Sequence, residues 1–119
     1  MTDDPIVSLL DDRNERELMT AFRELQDADA ILFATKQKQY GPGNVNTCWD
    51  WCGVAGLLVR AAEKMERLRN AVKQGESFDF STADDSPWRT MQDISNHLLI
   101  ARLRIIGKWP GAVPDNRPT

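Results

Sequence analysis

The chain of 119 residues has only two cysteines, one histidine and one tyrosine. It has no apolar run near the roughly 18 residues that a membrane span requires. Each shortage closes off a class of function. The opening MTDDPIVSLLDDRNERE is acidic and lacks the basic region of a secretory signal. A structural disulfide between Cys48 and Cys52 is therefore not expected, and a cytoplasmic location is. The Cys-x3-Cys spacing is uncommon for zinc, and the only histidine, His97, stands far along the chain, whereas a structural zinc site takes four ligands. One histidine and no G-x-S-x-G turn leave little from which to build a nucleophilic triad. Gly41-Pro42-Gly43 lacks the remaining glycines and the Lys-Ser/Thr ending of a phosphate loop. A formal net charge of -3 lacks the basic footprint by which proteins hold a nucleic-acid polymer. Seven glycines and six prolines are too few for a collagenous or low-complexity chain.

What remains is one domain with helical patterning throughout. A first long helix is expected from about Asn14 to Gln37, striped by Leu18, Phe22, Leu25, Leu32 and Phe33, with a shorter helix before it at Ile6–Leu10. Tyr40 to Thr47 is a cluster of breakers and reads as loop. A second helix is expected from about Trp51 to Lys73, its core stripe made of Val54, Leu57, Leu58, Ala61, Met65, Leu68 and Val72. The third starts at Ser86-Pro87, a good N-cap followed by a proline at the first helical position. It runs to about Gly107, with one apolar face at Met91, Ile94, Leu98, Ala101 and Ile105 and a second at Leu99, Leu103 and Ile106. The expected organisation is an N-terminal segment (1–13), an all-α domain (14–109) and a loose tail (110–119). Three helices do not bury that much apolar surface by themselves. A homodimer or homotetramer that completes a four-helix-type bundle is expected.

The acidic residues carry the candidate chemistry. Glu63 and Glu66 form E-x-x-E opposite the core stripe of the second helix, and an i, i+3 pair lies on one side of a helix. Asp93 and Asn96 repeat the spacing on the third helix. Facing carboxylates from two helices can hold a hard divalent ion, which takes oxygen ligands and leaves positions for phosphates. The same charges are also what a solvated helix face carries. Asp29, inside the stripe of the first helix, needs either a basic partner or the same cation. Arg60, Lys64 and Arg67, with Lys36 and Lys38 before the loop, can neutralise phosphate or pair with the acids. Tyr40, Trp49 and Trp51 offer flat surfaces to a base or to the core.

Three stretches carry a family resemblance. They are Lys36-Gln-Lys-Gln-Tyr40-Gly41 followed by Asn44, then Arg60-Ala-Ala-Glu63-Lys64-Met-Glu66-Arg67, then Asp93-Ile-Ser-Asn96-His97. In order and spacing they resemble a small phage and bacterial family, the nucleotide modification associated domain of type one. They are also similar to the all-α nucleoside triphosphate pyrophosphohydrolases of the MazG kind. The resemblance spans about Ala30 to Ile105. It implies a helical-bundle oligomer in the cytoplasm, of the host if phage-encoded, that takes Mg2+ or Mn2+ and a nucleoside triphosphate, with a dNTP the expected one, to give a monophosphate and pyrophosphate. Under it Glu63, Glu66 and Asp93 are the metal-binding and catalytic residues. Lys38, Tyr40, Asn44, Arg60, Lys64, Arg67 and Asn96 contact the nucleotide. The second acidic motif departs from E-x-x-D, Gln39 replaces the loop Asp, and His97 stands where the family has Tyr. The alternative is a non-catalytic nucleotide-binding module that sequesters a nucleotide or assists its modification.

Overall fold

The structure is a computed structural model in which residues 13–112 are described; the expected short helix at Ile6–Leu10 lies outside them. The architecture is all-α: α1 (Arg13–Tyr40), α2 (Gly43–Lys73) and α3 (Pro87–Ile105), with no strand among the described residues. None of these helices is long and apolar enough to cross a membrane.

The helix ends follow from local chemistry. No glycine or proline interrupts α1, and it stops where Gly41 turns to φ 71° and donates its N–H to the Gln37 carbonyl at 2.8 Å. Ser86 caps α3, its hydroxyl accepting from the Arg89 N–H at 3.1 Å, with Pro87 in the first turn. After α3, Lys108 N–H donates to the Leu103 carbonyl at 3.0 Å, the long bond of a Schellman ending.

One expectation is corrected at the second helix. The breaker cluster is not loop as far as Thr47, because α2 begins at Gly43. Its first turn is held from a distance: Trp109 Nε1 donates to the Pro42 carbonyl at 3.1 Å and Asn46 Nδ2 to the Pro110 carbonyl at 2.9 Å. Tertiary ties outweigh weak local propensity there. The same ties hold the chain just after α3, where Trp109 is buried and Ala112 packs beside it; residues 113–119 of the expected tail lie outside the described ones.

Within α2, Gly53 adopts φ 63°, ψ -151°, a conformation essentially reserved for glycine, and the helix kinks. Carried straight through at about 100° per residue, Val45 and Leu57 would point roughly 120° apart. The kink re-aims them into one cluster with Ala101 and Trp109, flanked by Phe33, Trp49 and Leu103.

α3 lies between the other two helices and buries its polar face. Thr90, Asp93, Asn96 and Arg104 are buried, whereas Met91, Leu98, Leu99, Ile105 and Ile106 are exposed. On α2 the buried positions are Val45, Leu57, Ala61 and Ala71, while Val54, Leu58, Met65 and Val72 of the expected stripe are exposed. α1 has no buried residue, and Leu18, Phe22 and Leu25 are exposed. The radius of gyration is 17.1 Å, against about 13 Å for a compact domain of this length.

Candidate anion-binding site

The polar face of α3 is buried because its groups find partners. Thr90 returns its hydroxyl to the Ser86 carbonyl at 3.0 Å, and Asn96 Nδ2 donates to the backbone carbonyl of Asp29 at 2.9 Å. Asp93 is the centre of the arrangement. Its carboxylate accepts from Lys36 Nζ of α1 at 2.7 Å and lies 3.6 Å from Lys64 Nζ of α2. One buried carboxylate thus ties all three helices. Asp93 is nearly enclosed, whereas Lys36 and Lys64 keep part of their surface in water.

His97 is one turn along the same helix face. Burial pushes its imidazole below the ordinary pKa, and Lys64, Arg60 and Lys36 push it the same way, while Asp93 pulls upward. Arg60 therefore belongs to the neighbourhood even though no ion pair fixes it. Two lysines thus share one carboxylate, and Arg60, itself exposed, adds positive charge near His97. A second buried cation, Arg104, is 5 % exposed, lies 4.5 Å over the Trp49 ring, and keeps Nε and Nη1 without hydrogen-bond partners. That stacking covers one face of the Trp49 ring.

The carboxylates expected to share a metal are not brought together within one chain. Glu63 and Glu66 are both exposed, and Glu66 pairs with Arg69 at 3.7 Å. The α2 residue that meets Asp93 is Lys64, because the inward row runs through Leu57, Ala61, Lys64, Leu68 and Ala71. Glu63 and Glu66 sit well off that row. Asp93 is occupied by lysines, and no group of three His, Cys, Asp or Glu that could hold a metal ion occurs among the described residues.

The predicted nucleotide contacts divide. Arg60 and Lys64 join the cluster, and Asn96 is spent on the α1 backbone. Lys38, Tyr40 and Asn44 are exposed around the α1–α2 turn, and Arg67 faces a separate cleft with Glu76, Asp85 and Thr90. Asp29 makes no ion pair among the described residues and serves through its carbonyl. Lys36, not Lys38, is the lysine that points inward; the signal was its place seven residues after Asp29 and four after Leu32, on the same stripe.

No family model, curated protein or solved structure matches the chain. The family resemblance rests on the short motifs alone.

Proposed function

We propose that this chain is a nucleotide-binding helical module that holds the polyphosphate end of its ligand on Lys36, Arg60 and Lys64, beside His97. The observation that carries this reading is the convergence of Lys36 and Lys64 on Asp93, with Arg60 near His97, in a chain whose net charge is -3. Phosphate oxygens accept charge-assisted hydrogen bonds from lysine and arginine. Asp93 keeps the two lysines in place when no anion is present. Binding without turnover is favoured over hydrolysis because Glu63 and Glu66 stand apart from Asp93.

The module works as a homo-oligomer. Its support is the exposed apolar surface at Leu18 and Phe22 in the first half of α1 and on α3's outer face, together with the absence of any large, fully buried side chain among the described residues. A second copy laid on these faces would complete a four-helix-type bundle.

The chain has one histidine, so a single imidazole resonance reports on the site. Titrating the protein with inorganic tripolyphosphate and with ATP should raise the His97 pKa, because the anion offsets the three neighbouring cations. Lys64→Ala should weaken binding about tenfold, the scale of one charge-assisted hydrogen bond. An unmoved resonance at saturating anion would sink the reading. Pyrophosphate release with Mg2+ that Glu66→Gln abolishes would replace it with the pyrophosphohydrolase one.

A further inference from the structure

Beside the Asp93 cluster, α1 and α3 enclose a second feature that no charge accounts for. A cleft of about 370 Å³ is walled by Leu25, Ile31 and Leu32 of α1 and by Phe80 and Trp88 from the other side. Its size lies within the range of small-molecule pockets. Phe80 and Trp88 form a tilted ring pair with centroids 4.9 Å apart, and Phe80 is 74 % exposed. An aromatic side chain left that open, against a second ring, presents an unspent flat surface. Polar groups are few: Thr35, Thr82, Arg89 and Gln92. Gln92 Oε1 has no hydrogen-bond partner, so turning its amide toward the cleft breaks no bond made by that atom.

The cleft and the cation cluster share one seam. Thr35 and Gln92 line the cleft, and the next residue on each helix, Lys36 and Asp93, forms the 2.7 Å pair. Consecutive Cα atoms are about 3.8 Å apart, so the two features are neighbours. One end of the seam is cationic and the other is an apolar slot with ring faces.

We propose that the Phe80–Trp88 cleft holds the planar heteroaromatic ring of the same ligand whose phosphates lie on Lys36, Arg60 and Lys64. The class is a nucleobase or a ring of that shape, with an N–H to offer Gln92. This rests on the nucleotide reading above and assigns the ring to a place that reading leaves open. The ring stacks on Phe80 and Trp88 and displaces water from Leu25, Ile31 and Leu32. The charge complementarity of the adjoining cations selects an occupant with an anionic arm.

Two reporters keep the phosphate and ring ends separate. His97 is read by its imidazole resonance, and Trp88 by the fluorescence lost on Trp88→Phe. ATP, GTP, CTP and UTP should move both reporters. Inorganic tripolyphosphate should move His97 alone, and adenosine should quench Trp88 alone. Phe80→Ala, at an exposed position where folding is not at risk, should weaken nucleotide binding about tenfold, the scale of one base–aromatic stack, and leave tripolyphosphate binding unchanged. If every nucleotide binds as tripolyphosphate does, with Trp88 silent, the ring assignment fails while the phosphate site stands. Adenosine quenching Trp88 with His97 unmoved by any anion would keep the cleft and remove the phosphate site. If Trp88 emission follows protein concentration and ignores every nucleotide, a second copy occupies the cleft and the proposal is overturned.

Discussion

The seam between α2 and α3 and the first half of α1 are opposites. Around the seam, Val45, Leu57, Ala101 and Trp109 are buried together, and a kink at Gly53 exists to bring them there. In α1, the apolar stripe predicted by the same three-and-four spacing is left in water: Leu18 is 70 % exposed and Phe22 51 %. α1 is fastened to the rest by Lys36 to Asp93, by Asn96 to the Asp29 carbonyl and by Phe33 against Trp109. All of these fall in its second half. The contrast teaches that a hydrophobic stripe specifies burial without specifying against what. The seam is completed within one chain, and the first half of the α1 stripe stays exposed in it.

The largest effect separates these regions. Trp109→Ala removes an aromatic ring from the core and the hydrogen bond that anchors the start of α2, and should cost about 3–5 kcal/mol in urea unfolding. Phe22→Ala should change the stability of dilute protein by no more than about 0.5 kcal/mol, the usual scale for an exposed site. It should instead lower the concentration dependence of the melting temperature. Equal losses from both variants at every concentration would erase the distinction.

A smaller effect sharpens the account of the seam. Gly53→Ala meets no neighbouring atom, so any cost is conformational. At φ 63°, ψ -151° that cost should be about 1–3 kcal/mol. A neutral outcome in thermal unfolding would mean that α2 can run straight and that the kink does not organise the core.

The helical class, both boundaries of α3 and the end of α2 were legible in the sequence, because Ser86-Pro87 and the capping glycines act locally. The start of α2 was not, because its first turn depends on Trp109 and Pro110, more than sixty residues away. Asp93 and Arg60 were legible as site residues by their chemistry. Which face turns inward was not legible, since counting carboxylates at i, i+3 does not fix it. Lys64, also picked out by its chemistry, is the α2 residue that reaches Asp93, while Glu63 beside it is exposed. Arg104 was passed over because a lone arginine in an apolar helix carries no pattern; its stacking on Trp49 exists only in three dimensions.

The smallest effect tests whether the cluster is electrostatically what its geometry indicates. His97 is held below its ordinary pKa by burial first and then by Lys64. The unfolded chain therefore binds a proton more readily than the folded one, and stability rises with pH wherever the two differ. Above the ordinary imidazole value of about 6.5 both states are neutral and this contribution is constant. As pH falls below it, the unfolded state gains protons first and the fold loses stability, until the lowered native pKa is reached. His97→Gln should flatten that part of the melting profile. Inorganic tripolyphosphate should shrink it in the original protein, since an anion among Lys36, Arg60 and Lys64 removes part of what keeps the imidazole neutral. The sparsely held first half of α1 has no histidine, so the acid limb belongs to the cluster end of the molecule. A limb that tripolyphosphate leaves unchanged while His97→Gln removes it would assign the shift to burial alone and take the cations out of the argument.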